Sequence, residues 1–269
     1  LAVAGLSTLA AQMTRYDPRA VTVTGSGATT FVLITGMVGG IAGSRRLAAL
    51  LAESNRVVVI DPYQLAIDSA DVTFVALARY VDMVLGQLGI DSARVAGHAH
   101  GAGTALRLAA QAPNRVSALY FLDGAAVEEN ATSNVSSSLK WASIIVKLPG
   151  GRGFVRGRFI RGLRQNSGHK EWLDSTTARA YTEIVLGQLP KAAAMAKRLA
   201  RAREPEPALT MVGRLRTPVA VLLGDIPHPS QVDSSEVAVL EPLGDRLRVE
   251  RLPGVGHFLH EEMPAEVAA

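Results

Sequence analysis

Seven short apolar runs alternate with stretches of helical spacing, and that alternation leaves few folds open to this chain. Val21-Thr22-Val23-Thr24 and Thr30-Phe31-Val32-Leu33-Ile34 flank the glycine turn Gly25-Ser26-Gly27. Runs at 56–60, 93–96, 116–122, 218–223 and 247–252 follow, the first of them ended by Asp61-Pro62. Val57-Val58-Val59-Ile60 is continuous rather than alternating, the pattern of a strand covered on both faces of a parallel sheet. Phe74, Leu77, Tyr80, Val81, Val84, Leu85 and Leu88 recur at helical spacing, and an Ala-rich helical pattern follows residue 101. Repeated strand and helix units with right-handed crossovers predict an α/β fold with a doubly wound, mostly parallel sheet.

The chain has 269 residues, 48% hydrophobic and 19% charged, enough for one domain with an insertion. With no cysteine, disulfides, thiolate zinc sites and a cysteine nucleophile are excluded. A net charge of +4 is modest, and no basic and aromatic motif accompanies it, so no nucleic-acid partner is expected. Both ends read as truncated: the chain opens on Leu1 and stops at Ala269 inside a helical pattern. Residues 1–20 read as an Ala-rich helix or as the remnant of an anchor or signal. The compartment is open between cytoplasmic and anchored or exported.

Chemistry concentrates at Gly97-His98-Ala99-His100-Gly101, which has the frame of a G-x-S-x-G nucleophile elbow with alanine where the serine belongs. A short apolar strand precedes it and a helical pattern follows, as such an elbow requires. Leu33-Ile34-Thr35-Gly36-Met37-Val38-Gly39-Gly40 is a glycine-rich loop at a strand end. Pro253-Gly254-Val255-Gly256-His257-Phe258-Leu259-His260-Glu261-Glu262-Met263-Pro264 is a histidine loop after the last strand. In that order, the three stretches resemble the α/β-hydrolase superfamily over nearly the whole chain from Val21. The glycine loop is similar to the family's His-Gly oxyanion loop, with Thr35 in place of its histidine. The resemblance implies a core at 21–124 and 217–269 with a helical cap at 125–216.

It also implies site roles. His257 would be the base, an imidazole able to take and return protons near neutral pH. The backbone N–H groups of His100 and Met37 would form the oxyanion hole, which needs no side chain and so survives the loss of serine. The family's acid is expected a few residues past the strand at 218–223, where this chain has Pro227. Asp225, two residues early, and Asp123, just past the strand at 116–122, are the two candidates, and the sequence does not choose between them. Ala99, which cannot attack, occupies the nucleophile position. Thr35 and His98 complete the expected substrate surroundings, with His98 expected to pack beneath the elbow and His260 on the helix that follows.

No metal and no cofactor are expected: the histidines show no ligand spacing such as His-Glu-x-x-His. From Ala131 to Lys170 there is no acidic residue, while Lys140, Lys147, Arg152, Arg156, Arg158, Arg161, Arg164 and Lys170 lie among Trp141, Ile144, Ile145, Val146, Phe154 and Phe159. That stretch reads as a cap with arginines facing water, His169 among the solvent-facing residues, or more sharply as a lid that meets an anionic or lipid-like partner. Membrane association through the basic cap follows from the second reading, and association through the N-terminus from the reading of residues 1–20 as an anchor remnant.

Three functions compete at this stage. One is a hydrolase-class enzyme acting on a small apolar ester or related carbonyl compound beneath the cap, without a serine nucleophile. Another is a cofactor-free lyase or proton-abstraction enzyme using His257 and the oxyanion hole. The third is a non-catalytic relative that binds a small apolar ligand.

Overall fold

The buried β-branched runs become the middle of a seven-stranded sheet in the computed structural model, which describes residues 17–126 and 129–269, the side chains of 129–134 excepted. The expectation for the N-terminal segment falls on residues 1–16, outside the described residues. The strands are β1 (Val21–Thr24), β2 (Thr30–Ile34), β3 (Arg56–Ile60), β4 (Ala93–His98), β5 (Val116–Leu122), β6 (Val219–Gly224) and β7 (Leu247–Leu252). Their order is β1-β3-β2-β4-β5-β6-β7. Every neighbouring pair is parallel except β1 with β3, so the sheet is doubly wound and mostly parallel, as the alternation predicts.

β1 and β2 are separated by a glycine turn in sequence, yet they do not pair. β2 already has β3 on one side and β4 on the other, so β1 adds antiparallel to the free edge of β3, Val21 opposite Ile60. At the other edge β7 is exposed along Arg248, Val249, Glu250 and Arg251, and its charges discourage further strand addition. β3 is buried from Val57 to Ile60, which is why its sequence does not alternate.

Helices cover both faces. α1 (Arg45–Leu51), α2 (Pro62–Leu65), α3 (Phe74–Gln87) and α4 (His100–Gln111) come first in the chain. α3 starts at Thr73, whose side chain accepts from the Ala76 N–H at 3.1 Å, and it buries Phe74, Leu77, Val81, Val84 and Leu85, the stripe its spacing predicts. Val32, Ile34, Val58, Ile60, Val95 and Phe121 meet Val84 and Leu106 in the larger core. On the opposite face Leu33, Val57 and Val59 pack with Leu47 and Leu51 of α1 and with Val255 and Leu259.

Between β5 and β6 lie α5 (Glu129–Ile145), α6 (Gly151–Gln165), α7 (Ser175–Gly187), α8 (Leu189–Leu199) and α9 (Ala208–Arg214). α5 to α8 build apolar clusters of their own, with Leu139, Val155, Val185, Leu186 and Leu189 in one of them. Both ends of the segment 125–216 join the larger core instead, through Ala125 and Ala126 at one end and Ala208, Val212 and Leu215 at the other.

One charge pair fastens the return from this helical insertion. Glu204, on the link from α8 to α9, accepts from the Phe74 N–H at 2.6 Å and the Val75 N–H at 3.2 Å, two donors that a helix start leaves without intrahelical partners. It also lies 3.9 Å from the buried Arg107 guanidinium, which sits over the Phe74 ring and donates to the carbonyls of Gly103 and Ala126. Removing the carboxylate strands both a buried cation and two amides. Glu204→Ala is therefore expected to cost roughly 2 to 4 kcal/mol in urea unfolding, whereas a loss under about 0.5 kcal/mol would show the link to be idle.

Candidate active site

The carboxyl ends of β4, β5 and β6 and the loop after β7 converge, as parallel strands in register must allow. β4 ends at His98 opposite Leu122 of β5, so Ala99 and Asp123 leave the sheet side by side. Both turn sharply: Ala99 has φ 49° and Asp123 φ 44°, the two positive-φ residues other than glycine among those described. For an L residue this region costs about 1 to 3 kcal/mol. Ala99 is the N-cap of α4 and offers no side-chain oxygen to the helix, and no acidic side chain occupies its first turn. The bend is possible because a Cβ on Gly97 would meet the Gly101 carbonyl at 2.4 Å, and one on Gly101 would meet the Ile34 carbonyl at 2.4 Å.

His257 Nδ1 donates to Asp123 Oδ2 at 2.7 Å, in a contact where the carboxylate side chain is 1% exposed. Of the two carboxylates the sequence leaves open, Asp123 is therefore the one beside the histidine. Its other oxygen accepts from the Gly224 N–H at 3.1 Å, which fixes the plane of the group. Burial alone would raise this carboxyl, but His228 and His257 outweigh it and hold the pKa at about 2. Asp225 is exposed and accepts from the Gly254 N–H at 2.7 Å: it is a turn residue, and it does not reach His257. A short side chain two residues from the family position has its carboxylate on the next loop's backbone.

His228 is the residue whose role the sequence did not disclose. Its ring is fully enclosed, with Nε2 3.2 Å from the same Asp123 oxygen and its centroid 5.4 Å from that of His257. Asp123, His228 and His257 each bring one possible ligand atom within 4.8 Å of the others. No spacing rule reveals such a group, because its members come from three loops up to 134 positions apart along the chain. The 2.7 Å separation of Nδ1 and Oδ2 is that of a charge-assisted hydrogen bond.

His98 lies beneath the bend, buried, with Nε2 donating to the His257 carbonyl at 3.0 Å and its ring 4.6 Å from that of His257 and 4.2 Å from that of His260. Burial, then the neighbouring rings of His260 and His257, drive the His98 pKa well below its ordinary value, so it is a neutral prop. His260, on helix α10 (Leu259–Glu262), donates to the Gly43 carbonyl at 2.5 Å, and burial lowers its pKa to about 4. The ring of His98 is thus an uncharged neighbour of His257. Thr35 is buried, and its hydroxyl has no hydrogen-bond partner among the described residues. Met37 packs between two apolar clusters, one with Tyr63, Phe74 and Met195 and one with Leu139, Val185 and Leu189, directly under the helical insertion. His100 opens α4, and its ring is 6.5 Å from that of Phe74. His169 is exposed.

Glu262 organises the histidine loop. Its Oε2 accepts from Gly168 at 2.8 Å, His169 at 2.9 Å and Gly256 at 3.1 Å, and its Oε1 accepts from Phe258 at 3.2 Å. The His257 N–H donates to the Asn166 carbonyl at 2.7 Å, and Asn166 Oδ1 accepts from Ser230 at 3.1 Å. Phe258 packs with Trp172 and Tyr181. The insertion therefore holds His257 from above while His98 holds it from below. Glu262→Ala strands four amides at once, so a loss of roughly 2 to 4 kcal/mol is expected, with faster hydrogen exchange at Gly256 and Phe258; unchanged exchange would assign the loop's order to Phe258 packing instead.

Glu261 gives the site a pH dependence. Burial raises its carboxyl to about 7, against the N–H of Arg46 and the charges of Arg46 and Arg45, which lower it. Because the folded state holds this proton more tightly than the unfolded chain, the contribution is full below the ordinary value of 4.5 and is lost as pH rises through about 7. Between pH 5 and pH 8 the parent should lose on the order of 2 kcal/mol more stability than Glu261→Gln does; equal slopes in urea titrations would show that the carboxyl stays ionised throughout.

A family model described as the alpha/beta hydrolase fold matches residues 29–225. No curated protein matches the sequence. Among solved structures, an alpha/beta hydrolase fold protein from Burkholderia ambifaria is similar with a TM-score of 0.72 and 21% identity, over 93% of this chain and 91% of that one. An esterase from Thermogutta terrifontis is similar with a TM-score of 0.67 and 19% identity, over 93% and 89%. A bacterial membrane phospholipase A reaches a TM-score of 0.71 at 20% identity, over 99% and 88%. Identities of this size establish a common fold.

Proposed function

The chain belongs to the alpha/beta hydrolase fold family, and from that premise we propose that it is a hydrolase-class enzyme in which His257 activates water directly at a small apolar ester or related carbonyl compound. The observation that carries this reading is the 2.7 Å contact between His257 Nδ1 and the buried Asp123 carboxylate, kept in full beside a bend whose usual nucleophile is replaced by Ala99.

With Nδ1 committed to Asp123, Nε2 is the atom that exchanges protons. It takes one proton from a water molecule as the water oxygen attacks the carbonyl carbon. Asp123 stabilises the imidazolium so formed. Negative charge develops on the carbonyl oxygen, where the N–H groups of His100 and Met37 and the start of α4 would receive it. On collapse the bond to the leaving oxygen breaks, and the imidazolium returns its proton to that oxygen. The apolar clusters that meet at Met37 favour an apolar substrate.

Proton abstraction from carbon next to a carbonyl is the second reading, because it uses the same base and oxyanion donors and needs no serine. Turnover of p-nitrophenyl esters separates the two. The parent should show slow activity, about 10³-fold to 10⁴-fold above water, without an acyl-enzyme burst; Ala99→Ser should gain roughly 100-fold and a burst. His257→Ala should abolish both activities. Ester activity that survives His257→Ala sinks the water-activation reading, and a reaction lost in His257→Ala but untouched by Ala99→Ser points to proton abstraction.

A further inference from the structure

The hairpin formed by α5 and α6 carries an apolar and cationic face that the proposed reaction does not use. Trp141, Ile144 and Leu148 are 64%, 49% and 59% exposed, and Phe154, across the short turn, is 63% exposed. Positions 141 and 144 lie one turn apart on α5, away from the buried Leu139 that packs into the insertion, and Leu148 follows in the turn after the helix. A stripe of this composition turned to water gains nothing for the fold.

Its surroundings are cationic. Lys140, Lys147, Arg158 and Arg161 are exposed, and they form no ion pair among the described residues. Arg152 and Arg156 share the carboxylate of Glu183 on α7, at 3.1 and 2.5 Å. No acidic residue lies between positions 131 and 170. A second copy of the chain would bring like charges together across this face, which disfavours self-association. Exposed tryptophan and phenylalanine beside exposed cations match the boundary between headgroups and acyl chains, with the cations at the phosphate level.

We propose that this hairpin docks the protein on an anionic lipid surface, Trp141, Ile144, Leu148 and Phe154 entering the interface and Lys140, Lys147, Arg158 and Arg161 meeting the phosphates. The hairpin lies on the surface rather than crossing it, since no helix among the described residues is long and apolar enough to span a bilayer.

The test is sedimentation of the full chain with vesicles of phosphatidylglycerol and phosphatidylcholine in equal parts, and with phosphatidylcholine alone. Binding to the first, weakened by salt, with a blue shift of tryptophan emission, is expected; Trp172 is buried, so the shift reports Trp141. Trp141→Ser with Phe154→Ser, and separately Lys140→Glu with Lys147→Glu, should each reduce partitioning about tenfold or more while leaving the thermal transition unchanged. The proposal is overturned by equal binding to both vesicle types, by binding that neither double variant alters, or by no binding at all. It is equally overturned if duplex DNA displaces the vesicles from the parent at low salt, or if the apolar double variant converts a dimer to a monomer, since another polyanion or a second copy would then own the face.

Discussion

A single buried carboxylate holds the site together. Asp123 has one oxygen on the Gly224 amide and the other on His257, with His228 closing the same oxygen from behind, so the ends of β5 and β6 and the loop after β7 meet on one group. Placing an ionised carboxylate where it is 1% exposed is unfavourable unless such partners are present. With them present, its pKa falls to about 2 despite burial, and the imidazole beside it keeps a fixed tautomer. The rest of the site is arranged around that tautomer.

The histidine itself is held from two directions that belong to different parts of the chain. Below it, His98 from the elbow reaches the His257 carbonyl; above it, Asn166 from the helical insertion accepts the His257 N–H. Glu262 joins the same loop to Gly168 and His169. The insertion therefore helps to position the histidine that we propose as the base. Its outer hairpin also carries the exposed aromatic and cationic face.

Ala99 puts a strained backbone at the end of β4 with only a methyl group at its tip. The positive φ at Ala99 sits where Gly97 and Gly101 allow β4 and α4 to approach closely, with β4 paired to β2 and β5 up to the bend. Main-chain donors at a helix start do not depend on the side chain at the bend. The histidine, the carboxylate and the bend that the proposed reaction uses are all present, with no side chain at residue 99 able to attack.

Local signals in the sequence sufficed for the fold. The continuous run at 57–60 required a strand buried on both faces, the stripe from Phe74 to Leu85 required an amphipathic helix, and the glycines around Ala99 required a tight strand-to-helix bend, because each depends on neighbours a few residues apart. The sequence also brought out His257 and the missing serine. It did not choose between Asp123 and Asp225, nor show that His228 shares the carboxylate or that Glu262 gathers four amides. Nor did it show that β1 lies beyond β3 rather than beside β2. Those facts depend on which loops the parallel register brings together across some 30 to 130 positions, and only the assembled sheet decides that.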